Sequence, residues 1–196
     1  QNRKLLDSMI IKDGKFSLSA RVWNNRLCEI IFDSDKPPKN AHKSVKGYRY
    51  FIETFAEHGA YYRFSVNSEE NIRYHNYTLE TNSLSGQLYA KYDKEAFAQH
   101  NFYRRLKEKT REKLKQAKLT NNQNIVDKLY DSLEIIDQKV KAAFPNARHE
   151  LFKKAPNSYP AVYLLSEAPD LSTNTAFYIG IEKQLTKQYR KSYYGK

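Results

Sequence analysis

Sulfur is scarce in this chain: one cysteine, Cys28, and one methionine in 196 residues. A single cysteine cannot close an intrachain disulfide, and it excludes a structural zinc site with four cysteine ligands. A reducing cytosol is the simplest compartment, so a cytoplasmic location is the expectation. Long apolar runs are missing too. Met9-Ile10-Ile11 and Ala161-Val162-Tyr163-Leu164-Leu165 fall far short of the ~20 residues a bilayer-spanning helix needs. Gln1 to Asp7 contains no apolar h-region, so no signal peptide is expected there. The chain has no Gly-rich phosphate loop and no GxSxG elbow. Its histidines, His42, His58, His75, His100 and His149, are dispersed, and none stands at HxxxH or HExxH spacing. Each reads as structural or solvent-exposed.

Cations and aromatic rings are plentiful. Thirty-four Lys and Arg face twenty-two Asp and Glu, a formal net charge of +12, among sixteen Tyr and ten Phe. A cationic surface draws polyanions, and flat rings give bases a face to stack on. Nucleic acid is therefore the expected partner, DNA or RNA. An acidic protein is the alternative partner, met by an interaction module or by a delivered toxin with an acidic immunity protein. With 40% hydrophobic residues the chain can build a core, despite a mean hydropathy of −0.84. Its length fits one domain over 1–196, divisible into a β-rich segment 1–92, a helical pair 93–145 and a C-terminal segment 146–196.

The expected fold is α+β: an antiparallel sheet of five to seven strands, one helix after an N-terminal meander, and a helical pair before the last strands. Asp13-Gly14 between Met9-Ile10-Ile11 and the alternating Phe16 to Val22 predicts a hairpin, and Asn24-Asn25 turns into a third strand, Arg26 to Phe32. A loop follows from Asp33 to Asn40. Val45, Tyr48, Ile52, Phe55 and Ala56 recur at helical spacing, with Gly59 as C-cap. Ala60 to Val66, Ile72 to Glu80 and Gln87 to Tyr92 read as strands. Asp93 is the expected N-cap of a helix to about Leu119, and Thr120-Asn121-Asn122 breaks it. Ile125, Leu129, Leu133, Ile136, Val140 and Phe144 predict a second helix that Pro145 ends. Strands are expected near 161–165 and 176–181, then a basic tail.

Within the first helix of the pair, Arg104, Lys107, Arg111, Lys115 and Lys118 are three or four residues apart and share a face suited to successive phosphates. A solvated face, partly neutralised by Glu108 and Glu112, is the other reading. In an expected strand, Arg73, His75 and Tyr77 project together, an arrangement that holds single strands by stacking and cation–π contact. The alternative is that such rings build the core, which is expected of about half of them. Asp33 and Asp35 read as loop residues before Pro37, and no metal ligands are assigned.

Pro160-Ala161-Val162-Tyr163 followed by Phe177-Tyr178-Ile179-Gly180 resembles the paired strands of the GIY-YIG nucleases, with Ala161 where that family has its first Gly. The stretch from Leu185 to Tyr193 is similar to the basic helix that follows in that family. The resemblance covers about the last forty residues and implies a nuclease dependent on Mg²⁺ or Mn²⁺. In it Tyr163 and Tyr178 would help activate water and Arg190 would stabilise phosphorane charge. Apart from the resemblance, the cationic tail, Lys187 included, is expected to contact nucleic acid.

Overall fold

The computed structural model describes residues 5–8, 22, 25–34, 48–66, 75–168, 172–192 and 194–195. The expected hairpin over Met9 to Val22, the Asp35–Asn40 loop and Arg73 lie outside these, save for Val22 itself. Among the described residues the class is α+β, with four strands and five helices. The single large sheet is replaced by two separate two-stranded antiparallel sheets. Strand β1 (Arg26–Ser34) pairs with β2 (Tyr48–Ala56), and β3 (Tyr62–Ser65) with β4 (Thr78–Thr81).

The segment around 45–56, expected as a helix, is therefore strand β2 from Tyr48 on. Its burial explains the ambiguity. Tyr50, Ile52, Thr54 and Ala56 alternate inward as a strand requires, while Ile52, Phe55 and Ala56 also satisfy a helical period. Backbone pairing with β1, from Arg26 opposite Ala56 to Ser34 opposite Tyr48, decides for the strand.

Helix α1 (Leu84–Leu119) begins nine residues earlier than the expected Asp93 cap. Ser83 is its N-cap, its hydroxyl accepting from the Gly86 N–H at 2.8 Å. The expected strand at 87–92 is thus the first turns of α1, and Tyr89, Tyr92 and Ala96 are buried at helical spacing. The turn at 120–122 coincides with the expected polar break, with Asn121 at φ +50 and the Asn122 side chain capping Ile125 N–H. Helix α2 (Gln123–Lys154) then runs through Pro145. The proline removes one helical hydrogen bond. Burial on both sides of it, at Ala143, Ala147, Leu151 and Phe152, holds the helix together. α1 and α2 lie antiparallel: Lys118 meets Tyr130, Lys107 meets Asp137, and Phe97 meets Phe144.

The last two expected strands are also helices, α3 (Tyr159–Ser166) and α4 (Thr175–Gln184), and a one-turn helix α5 (Lys187–Arg190) follows. Ser158 caps α3, with Pro160 in its first turn, where a missing N–H costs nothing. α4 turns Tyr178 and Ile181 inward. The main core joins β2, α1, α2, α3 and α4 through Phe55, Tyr89, Phe152, Leu164 and Tyr178.

Glu53 crosses from β2 to this core and accepts from the Tyr89 hydroxyl at 2.5 Å. Burial, with smaller repulsion from Asp93 and Glu29, pushes its carboxyl above the ordinary range, although the Tyr89 bond opposes this. A carboxyl whose folded pKa is raised binds its proton more tightly in the fold. Its stabilising contribution is greatest below the unfolded pKa and is lost as pH rises toward the folded one. Glu53→Gln is therefore expected to raise the melting temperature more at about pH 8 than at about pH 4, measured by thermal unfolding at both.

Candidate nucleic-acid interface

A helix presents residues three and four apart on one side. On α1 this places Lys94, Asn101, Arg105 and Lys109 along a single row, which forms one wall of a groove of about 500 Å³. Three of the described lining side chains are cations and none is a carboxylate. Phe102 and Leu106 edge the same groove, the Phe102 ring being 62% exposed. An exposed ring beside a cationic row costs hydration in isolation. Under a stacked base with an adjacent phosphate it is favourable.

His75 and Asn76, just before β4, also line the groove. His75 sits at φ +53, in the left-handed region. Histidine visits it more readily than most residues but still at a cost. Several contacts fix the ring. Nδ1 lies 2.6 Å from Asp93 Oδ2, and that same oxygen accepts from the Tyr77 hydroxyl at 3.0 Å. Phe97 stacks flat on the imidazole at 3.5 Å between centroids, and Phe51 meets it edge-on at 5.9 Å. Only 6% of His75 and 3% of Asp93 is exposed. A carboxylate on Nδ1 fixes the tautomer that keeps the proton there, so the lone pair of the neutral ring falls to Nε2. The arrangement is an oriented imidazole at the edge of a cationic groove.

No family model matches this chain, and no curated protein or solved structure does. The similarity to GIY-YIG nucleases thus rests on residue order over a stretch that is helical here. Tyr163 lies on α3, half-buried, with its ring against Phe55 and Tyr194, and burial pushes its phenol up. Tyr178 on α4 is 1% exposed, and its hydroxyl accepts from Arg148 Nη1 at 3.3 Å and lies 3.4 Å from His149 Nε2. Arg190 on α5 donates to the carbonyls of Glu182 and Lys183 at 3.1 and 3.3 Å, closing the end of α4. The three have different partners: Tyr163 the aromatic core, Tyr178 the α2 face, Arg190 a helix end.

The expected cationic stripe on α1 has partners of its own. Lys107 pairs with Asp137 of α2 and holds that carboxyl below its usual range. Lys118 donates to the Tyr130 hydroxyl at 2.7 Å. Lys115 pairs with Glu112 at 3.3 Å and Arg104 with Glu108 at 3.9 Å. Arg111 is exposed on the same helix, and Lys187 is exposed at the start of α5. This stripe belongs partly to the seam between α1 and α2, and the groove cations occupy the adjoining face. Tyr77 is buried, and its hydroxyl is committed to Asp93. Asp33 is a strand residue, paired with Arg49 across β1 and β2 at 2.8 Å. Among the described residues no group of three or more His, Cys, Asp or Glu is placed to hold a metal ion, and no helix is long and apolar enough to cross a membrane.

Lys94, Arg105, Lys109 and the pairing of His75 with Asp93 do not emerge from the sequence pattern as read. The 94, 98, 101, 105, 109 spacing is present as a signal, one residue round the helix from the expected stripe. The His75–Asp93 contact has none, because eighteen residues separate the two.

Proposed function

We propose that the protein binds nucleic acid through its phosphate backbone along the α1 groove. The observation that carries this is the cation row Lys94, Arg105 and Lys109 in a groove without a lining carboxylate among the described residues, with the exposed Phe102 ring beside it. Each phosphate neutralised there releases condensed counterions, so affinity falls with salt. Phe102 offers a stacking face that is indifferent to base identity, which favours single strands.

Fluorescence anisotropy with a labelled single-stranded oligonucleotide tests the reading. Affinity is expected to fall steeply between about 50 and about 300 mM salt. The combined variant Lys94→Ala, Arg105→Ala and Lys109→Ala should flatten the slope of log K against log salt by about 2, at about 0.7 for each phosphate no longer neutralised. Lys128→Ala with Lys139→Ala, exposed cations of α2, should leave the slope unchanged. Affinity that does not vary with salt, or an equal loss in both variants, would overturn the proposal.

A further inference from the structure

Among the described residues the groove holds an oriented histidine and no nucleophile. Among the described residues its lining includes no serine, threonine, tyrosine, cysteine or carboxylate side chain. For a phosphodiester resting on the cation row, the described lining leaves the ligand itself or water to supply the attacking oxygen. RNA carries one, since the 2′-hydroxyl neighbours the phosphorus of its own linkage. We infer that the groove is a transesterification site for single-stranded RNA in which His75 is the general base, an inference that rests on the nucleic-acid reading of the groove.

Two independent observations meet here. One is the cation row with its exposed Phe102. The other is the oriented imidazole, its ring fixed by Asp93, Phe97 and Phe51 on a residue whose backbone is left-handed. Strained residues held by their surroundings gather at working sites. Asp93 is the positioning residue, since its carboxylate fixes Nδ1 and leaves Nε2 to take a proton.

The step balances without an oxidant, a reductant or a second substrate. Nε2 of His75 takes the 2′-hydroxyl proton as the 2′-oxygen bonds to the adjacent phosphorus. The bond from phosphorus to the 5′-oxygen breaks, and that oxygen takes a proton from a solvent water. The hydroxide left behind takes the proton from Nε2 and resets the ring. Lys94, Arg105 and Lys109 meet the extra negative charge that develops on the phosphorane. The products are a 2′,3′-cyclic phosphate and a 5′-hydroxyl.

The experiment uses the wild-type chain and labelled single-stranded oligonucleotides of one sequence: RNA, DNA, and RNA methylated on every 2′-oxygen, each in EDTA. All three should bind. RNA alone should be cut, leaving cyclic phosphate ends. His75→Asn, whose residue tolerates a left-handed backbone, should slow cleavage by about 100-fold or more, with binding changed less than about twofold. RNA bound but left intact by wild type overturns this inference and leaves the binding proposal standing. So does cleavage of the methylated RNA. So does cleavage at the wild-type rate by His75→Asn that shows a cooperative thermal transition. Should that variant fail to fold, the methylated substrate on wild-type protein still decides. No binding of any strand overturns both readings together.

Discussion

Asp93→Ala is expected to destabilise the fold by about 3–5 kcal/mol. The carboxylate is 3% exposed and serves two buried donors at once, His75 Nδ1 and the Tyr77 hydroxyl. Alanine strands both. Each orphaned buried polar group costs about 1–3 kcal/mol, and the methyl also leaves some of the site empty. For a chain of this length the loss corresponds to a fall in melting temperature of about 10 °C, read by circular dichroism. Asp93→Asn keeps a carbonyl oxygen with two lone pairs for the two donors, though an uncharged one, and should cost less, about 1–2 kcal/mol. The reverse order, with asparagine worse than alanine, would show that the two donors do not depend on this acceptor.

Asp93 also shows how local signals mislead. An aspartate ahead of a periodic helical run reads as an N-cap. Ser83 takes that role, and Asp93 lies buried inside α1. The residues between them read as a strand because Leu88, Ala90 and Tyr92 alternate over a short window. Extended backward, the same residues show the helical period, with Tyr89, Tyr92 and Ala96 facing the core. A window of six residues cannot separate the two periods, whereas the thirty-six residues of α1 do.

The helical hairpin is legible in the sequence because both helices are long and the Ile125 to Phe144 pattern never misses a step. Its polar turn is legible from Thr120-Asn121-Asn122. The C-terminal segments are not, because Val162, Tyr163, Ile179 and Ile181 carry strand propensity that tertiary packing overrides. Ser158 and Pro160 at the start of α3 are the contrary signal, a capping residue followed by a first-turn proline. For the site, the net charge of +12 motivates the proposed partner, and helix periodicity places a cationic row on α1 within one residue of the groove row. What no periodicity contains is contact between elements. Lys107 and Lys118 look free on a helical wheel, and only docking of α2 brings Asp137 and Tyr130 to them.

Phe55→Ala is the second large loss expected, about 3–5 kcal/mol. Phe55 is fully buried on β2, and its ring meets Tyr89 of α1 at 5.4 Å, Tyr163 of α3 at 5.7 Å and Tyr194 near the C-terminus at 5.9 Å. These neighbours come from segments far apart in the chain, so the cavity left by alanine cannot close by shifting one of them. The Tyr62 hydroxyl, which donates to the Phe55 carbonyl at 2.6 Å and accepts from Glu57 N–H at 2.9 Å, pins the strand end in place and limits relaxation from that side. Phe102→Ala makes the same chemical change at a ring 62% exposed and should cost about 0.5 kcal/mol or less, while weakening single-strand binding by about 1–3 kcal/mol through the missing stacking face. Chemical denaturation and anisotropy on the two variants separate the roles: one phenylalanine joins the β-hairpin to the helices, and the other belongs to the proposed interface. Equal stability losses at both positions would place Phe102 in the core and remove the aromatic half of the proposed interface.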